Sequence, residues 1–227
     1  MKPDPDREYF AAFLDLHDSV ALVVGGGGVA ERKAGTLLRS GARVRVVAPR
    51  VGERMAAWAR GGAIEHRPRA YEASDLEGVT LAIAATDDPR VNAAVAREAR
   101  ARGVLVNVAD FPPASTFIMP ALVDRGAVQI AISTAGASPV LAKHIAAIVE
   151  SAVPQGFARL ADFFARYREQ AQARLPDVAA RRAFWQGVID GRIAQAVLDG
   201  RDAEARALIE AELGGPRAAS RDPGAAA

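Results

Sequence analysis

Val23-Val24-Gly25-Gly26-Gly27-Gly28-Val29-Ala30-Glu31-Arg32-Lys33 sets four glycines between an apolar run and a charged one. The run before them, Ser19 to Val24 (SVALVV), is apolar without alternation, as a strand buried on both faces of a parallel sheet must be. The run after them, Ala30 to Ser40, puts Ala34, Leu37 and Leu38 on one helical face, and Gly41 is a natural stop. Gly25, Gly27 and Ala30 fit the G-x-G-x-x-G/A fingerprint between a strand and a helix. Gly25 permits the tight turn, Gly27 lets the backbone approach a pyrophosphate, and Ala30 lets helix and strand pack closely. Gly28 and Val29 begin the helix, where free N–H groups and the helix dipole favour phosphate. A tight turn without a ligand uses the same glycines, so the elements that follow decide between the two readings.

Those elements alternate. Val44 to Ala48, Ala63 to Arg67, Val79 to Ala85 and Val104 to Val108 read as strands. Arg50 to Arg60 and Pro89 to about Arg102 read as helices, the second announced by Thr86-Asp87-Asp88-Pro89, with a capping side chain and a proline in the first turn. Alternation of this kind predicts right-handed βαβ units, a doubly wound parallel sheet and a dinucleotide as ligand. The acid expected about 20 residues past the glycines, for the ribose 2′-hydroxyl, is absent. The second strand ends Val46-Val47-Ala48-Pro49-Arg50. Backbone groups around Pro49 and Arg50 are then left to hold the ribose, and Arg50 suits a 2′-phosphate as well as it suits the start of a solvated helix.

Past Asp110 the pattern changes. Phe111-Pro112-Pro113 breaks it, and Thr116 to Val123 and Ala127 to Ser133 read as a hairpin turning at Gly126. Its strand edges fall outside the parallel pattern and predict pairing with a second copy of the chain. Ser138-Pro139 reads as cap and first residue of a helix. From Phe157 only helical periodicity remains, with Phe157, Leu160, Ala161, Phe164 and Tyr167 as one apolar stripe. The segment from Gly214 to Ala227 reads as a disordered tail.

Composition narrows the function. Half of the 227 residues are hydrophobic, enough for a sizeable core, and 29 Lys+Arg against 27 Asp+Glu leave a net charge of only +2, which argues against a nucleic-acid partner. The absence of cysteine removes thiolate metal sites and a cysteine nucleophile, and fits a reducing compartment. With no signal peptide and no apolar run of membrane-spanning length, a cytoplasmic protein without a membrane partner is expected. His17, His66 and His144 lack metal-ligand spacing, so no resident metal is expected.

Several stretches together resemble one family: Phe13-Leu14-Asp15-Leu16 before the glycine loop, then LAIAATDD (81–88), VNVADFP (106–112), STFIMPALVDRG (115–126) and ISTAGASPVLA (132–142). In this order, across roughly residues 9–213, they are similar to the precorrin-2 dehydrogenase/sirohydrochlorin ferrochelatase family, the N-terminal part of siroheme synthase. The resemblance implies a Rossmann-like parallel sheet (1–112), a dimerisation segment with the hairpin (113–150) and a small helical domain (151–213). It implies a homodimer, NAD as cofactor, precorrin-2 oxidised to sirohydrochlorin, and, in bifunctional members, Fe2+ as a passing substrate on the way to siroheme. The longer siroheme synthases continue into a methyltransferase domain, so precorrin-2 is expected to come from another protein.

By the same resemblance Asp110 is the catalytic aspartate, although an aspartate before Phe111-Pro112-Pro113 also suits a turn. Pro49 and Arg50 match the family's second cofactor contact. Thr86 and Asp87, after a strong strand, suit the nicotinamide side and helix capping alike. Asn107 reads as a satisfied strand end sooner than as a cofactor contact. Ser133, Thr134 and Ser138, with Arg125 and Lys143 nearby in sequence, suit the carboxylates of a tetrapyrrole at a helix start. Two other readings are an NAD(H)-sensing module without turnover and a dehydrogenase for another small substrate. The second usually presents a His, Lys or Tyr acid/base, and no histidine falls near the strand ends.

Overall fold

The computed structural model describes residues 8–214. Val20–Val24 forms β1, and its side chains part alternately. Ala21 and Val23 enter one apolar cluster, Leu22 and Val24 another on the opposite face. Neither face meets water, which is why the run shows no polar alternation. β2 (Arg43–Val47), β3 (Ile64–Arg67), β4 (Val79–Ala84) and β5 (Leu105–Val108) complete a parallel sheet in the order β3-β2-β1-β4-β5. Residues of α1 (Gly28–Arg39) and α2 (Glu53–Arg60) join the first cluster, and residues of α3 (Pro89–Ala101) join the second. The chain runs outward from β1 to β3, then crosses to the other side of β1 for β4. That reversal opens a crevice at the carboxyl ends of β1 and β4, where such sheets bind their ligands.

β5 is an edge strand, and the chain covers it without adding a strand. Thr116 N–H donates to Val106 O at 2.7 Å, Val106 N–H to Thr116 Oγ1 at 2.7 Å, and Val108 N–H to Ser115 Oγ at 2.9 Å. Two hydroxyls thus take the place of ladder carbonyls. This corrects the expected hairpin, whose first strand was to begin at Thr116. The backbone of Thr116 is already committed to β5, and Pro120 has no N–H to offer a ladder. The paired strands are β6 (Ala121–Arg125) and β7 (Val128–Ile132). Gly126 opens their two-residue turn at φ +68°, the first central position of a II′ turn.

The second expected helix starts three residues late, at Glu53 and not at Arg50. Gly52 N–H donates to Gly26 O at 3.2 Å, so the chain from Pro49 to Gly52 is held as a loop against the glycines before the helix begins.

Residues through Pro120, with 135–137, make one unit, and 121–134 with the chain from Ser138 make another. In the second unit α4 (Pro139–Ala152) begins as expected, with Ser138 Oγ accepting from Leu141 N–H at 3.1 Å. α5 (Gly156–Arg174), α6 (Val178–Asp190), α7 (Arg192–Leu198) and α8 (Asp202–Gly214) share a core of Leu160, Phe163, Tyr167, Val188, Val197 and Ile209. The buried face of α5 is Leu160, Phe163, Tyr167 and Ala171, turned from the expected stripe, with Phe164 only partly buried against Trp185. The expected tail lies outside the described residues from 215 onward, and Gly214 closes α8.

Arg125 is neither a solvated residue nor free for a ligand. It is 8% exposed and donates to Val153 O, Glu150 O, Glu150 Oε1 and Asp124 O, tying the hairpin to the last carbonyls of α4.

Candidate active site

The crevice at the ends of β1 and β4 encloses about 630 Å³. Gly25, Gly27, Gly28, Val29, Pro49, Arg50, Thr86, Asp87 and Asp110 all line it, nine residues drawn from four separate strand ends. Sequence reasoning placed each of them in one site, and the fold brings them together. Ser133, Thr134 and Ser138 lie elsewhere, in the second unit, between β7 and the start of α4. There Thr134 Oγ1 accepts from Ser138 N–H and donates to Ser138 O, both at 3.1 Å, and Ser138 caps α4.

The glycines divide the work differently from the fingerprint. Gly25 turns at φ +131°, and a Cβ there would lie 2.2 Å from Ala85 O. Gly26, an unspecified position in the fingerprint, is pressed harder still: its Cβ would lie 1.9 Å from Arg50 O. At Gly27 and Gly28 nothing stands within 4 Å of such a Cβ, so the bare backbone there faces open space. Gly27 is also the N-cap residue of α1 and supplies no side-chain cap, which leaves the first N–H groups of the helix without a side-chain acceptor. An open crevice, uncovered backbone and an uncapped helix start fit a dinucleotide pyrophosphate. Ala30, fully buried, lets α1 lie close on the sheet as expected.

The walls carry polar groups of known occupation. Thr86 Oγ1 donates to Asn92 Oδ1 at 2.8 Å and accepts from Asp88 N–H at 3.2 Å, and Asp88 caps α3 through Arg90 N–H at 2.8 Å. The capping reading of this stretch therefore holds, with Asp88 as the cap and Thr86 bracing it. Tyr71, also in the wall, donates to Glu98 Oε2 at 2.8 Å, and burial followed by that bond pushes its hydroxyl pKa upward. Pro49 and Arg50 lie where the ribose acid is missing, and Arg50 is exposed to the crevice.

Asp110 follows β5 with a left-handed backbone, φ +58°, a conformation aspartate tolerates better than most residues. Asp88 and Asp124 spend their carboxylates on nearby backbone N–H groups. Asp110 does not: among the described residues none is hydrogen-bonded to its carboxylate, which stands exposed in the crevice wall.

Lys33 escaped the sequence reading. Its Nζ donates to Asn107 Oδ1 at 3.0 Å and Met119 Sδ at 3.1 Å, and Asn107 Nδ2 donates to Phe117 O at 3.1 Å. Asn107 is thus a satisfied strand residue. Burial lowers the Lys33 pKa, Arg32 lowers it further, and the charge of Asp110 acts in the opposite direction. Partners 74 and 86 residues away leave no local signal.

Comparison with known proteins agrees with this architecture. An NAD(P)-binding family model matches residues 12–121, a sirohaem biosynthesis central-region model 125–151, and a sirohaem synthase dimerisation-region model 156–213. A siroheme synthase of Chromobacterium violaceum is 48% identical over 206 residues, covering 91% of this chain and 44% of that protein. One of Azotobacter vinelandii is 45% identical over 208 residues, covering 92% and 45%. The chain thus spans less than half the length of these synthases. The solved structure of SirC, a precorrin-2 dehydrogenase, matches with a TM-score of 0.74 at 28% identity, over 89% of this chain and 99% of that one. Among the described residues no helix is long and apolar enough to cross a membrane. With three consecutive family models over residues 12–213, two of them sirohaem synthase and biosynthesis regions, and a siroheme synthase 48% identical across 91% of this chain, the chain belongs to the family of the N-terminal region of siroheme synthase.

Proposed function

We propose that this chain oxidises precorrin-2 to sirohydrochlorin with NAD, a step of siroheme biosynthesis. One observation carries the reading: a dinucleotide crevice whose wall includes an aspartate with an uncommitted carboxylate. The N–H groups at Gly28 and Val29 hold the pyrophosphate, with Gly25 and Gly27 shaping the loop. Backbone around Pro49 and Arg50 holds the adenosine ribose, and Thr86 and Asp87 line the nicotinamide side. When bound, NAD supplies the hydride acceptor. Asp110 takes the proton that the macrocycle loses with its hydride, so precorrin-2 and NAD+ give sirohydrochlorin, NADH and one proton. Ser133, Thr134 and Ser138, at the start of α4, receive carboxylates of the tetrapyrrole.

Insertion of Fe2+ into sirohydrochlorin extends the same reading, with Asp110 accepting the displaced pyrrole protons and iron as a substrate. The proposal includes a homodimer, with an NAD-binding domain over 1–112, a dimerisation segment over 113–150 and a helical domain over 151–213. The dimerisation-region match at 156–213 supports pairing and adds the helices to the surfaces available for it. NAD in place of NADP rests on the family resemblance, and exposed Arg50 makes NADP the necessary control. A sensor without turnover is not favoured, because the similarity to siroheme synthases and to a precorrin-2 dehydrogenase continues well past the cofactor domain.

The test is anaerobic incubation of the purified protein with enzymatically made precorrin-2 and NAD, then NADP. NADH formation with a sirohydrochlorin spectrum supports the dehydrogenase. Cofactor binding without turnover refutes it. Fe2+ added to the same cuvette tests chelation against a protein-free control.

A further inference from the structure

Lys33 presents a positive charge that the described part of the molecule does not neutralise. The side chain is partly buried, and its two hydrogen-bond partners, the Asn107 amide oxygen and the Met119 thioether, are neutral. Among the described residues it forms no ion pair; the carboxylate whose field it feels is Asp110. A half-buried ammonium without a counter-ion is costly to keep. A methionine or leucine would fill the same place between α1 and β5 without that cost. Lys33 is also outside the lining of the cofactor crevice, so the dinucleotide phosphates do not account for its charge.

The two neutral partners fix the head group in place. An ammonium has three N–H donors, and Asn107 and Met119 engage two of them. Asn107 is itself held by Phe117 O, so the oxygen that orients Lys33 does not swing. The arrangement is a pre-oriented cation on α1 with one donor left over, held against Asn107 on the strand that leads three residues later to Asp110.

We infer that Lys33 is a specificity-determining residue that receives a carboxylate of the substrate beside Asp110. The inference rests on the proposed function, whose substrate is a macrocycle fringed with carboxylates. A reacting ring brought to Asp110 brings such a carboxylate with it. Held by Lys33, that group fixes which part of the ring meets the aspartate. A charge-assisted bond of this kind contributes on the order of tenfold or more to affinity.

The experiment compares wild type with Lys33→Met, Lys33→Gln and Lys33→Arg in steady-state oxidation of precorrin-2 at two ionic strengths. Sirohydrochlorin binding is measured in parallel by fluorescence quenching, which needs no turnover. Lys33→Met is expected to raise KM for precorrin-2 and weaken sirohydrochlorin binding about tenfold, with KM for NAD unchanged and a shallower dependence on salt. Lys33→Gln can still donate to Asn107 but has no charge, and it is expected to lose as much. Lys33→Arg is expected to recover most of the affinity. Wild-type substrate affinity and salt dependence in Lys33→Gln overturn the inference and leave the dehydrogenase standing. A wild-type protein that neither oxidises precorrin-2 nor binds sirohydrochlorin overturns the proposed function itself, and the inference with it. Should Lys33→Met fail to fold, Lys33→Gln decides.

Discussion

Gly26 and Arg50 touch through their backbones so closely that one methyl group on Gly26 would lie 1.9 Å from the Arg50 carbonyl oxygen. The contact locks the glycine loop to the loop after β2, and the Gly52 N–H bond to Gly26 O repeats the lock. Gly26→Ala must therefore displace backbone. It is expected to lower the melting temperature by several degrees and abolish NAD binding. Gly27→Ala has open space for its methyl and is expected to fold normally, losing NAD affinity because the methyl occupies the phosphate's place. Melting curves with and without NAD separate the two outcomes. Equal stability loss in both variants would contradict the division of roles.

Asp110→Asn keeps the shape of the crevice wall and removes the proton acceptor. Turnover is expected to fall by a factor of about 10² to 10⁴ while NAD affinity stays within twofold of wild type. Stopped-flow NADH formation and equilibrium titration check the two halves. Near-normal turnover would remove Asp110 from the chemistry.

Asp75 gives the fold a pH limit. Its side chain is fully buried and accepts from Arg69 at 2.7 and 2.8 Å, Arg67 at 2.7 Å and Glu72 N–H at 3.0 Å. Desolvation alone would raise its pKa, but the two guanidinium groups and the backbone N–H outweigh it and hold the carboxyl at about 2. The folded value lies below the ordinary 3.8, so the stabilisation is complete above that ordinary value and disappears as pH falls from about 4 toward 2. It amounts to roughly 2 kcal/mol. Asp75→Asn is expected to lose about that much at pH 7 and to show a flatter stability profile between pH 5 and 2. Urea unfolding across that range reads it directly.

Arg125 makes four hydrogen bonds from a side chain that is 8% exposed. Arg125→Met leaves the Glu150 and Val153 carbonyls without their donor, and a loss of about 2 to 4 kcal/mol in the second unit is expected. NAD affinity should not change, because the crevice lies wholly in the first unit. A weakened cofactor with intact stability would refute this placement.

What could be read from the sequence was chemistry confined to a few neighbouring residues. The unalternating valines of β1, Asp88-Pro89 and Ser138-Pro139 each carry their own explanation, and the structure follows them. Thr116 did not, because a β-prone stretch looks the same whether it joins a ladder or lies along an edge held by hydroxyls. The start of α2 was misplaced because its delay is imposed by Gly26, on a different loop. The α5 stripe was turned because Phe163 and Phe164 are equally apolar, and only the packing of α7 and α8 against α5 selects the first. Eight of the nine crevice residues were recognisable because parallel strands end on one side of the sheet, and Asp110 was marked by the family resemblance. Lys33, Asn107 and Met119 were not, since their meeting depends on the register of α1 against β5 and on the path of the chain after it.

The uncapped start of α1 has a thermodynamic meaning of its own. Asp88, Ser138 and Asp177 each cap the helix they precede, whereas Gly27, like Gly52, Gln155 and Gly191, gives its helix no side-chain cap, and of these four only Gly27 lies in the crevice. In the proposed cofactor mode a pyrophosphate supplies bonds that this helix start lacks, so cofactor occupancy and fold stability would draw on the same interactions. On that reading the dinucleotide level in the surrounding solution would also set how long the protein stays folded. An empty copy would be the more easily opened one, and turnover by proteases would fall first on chains that have no cofactor to use.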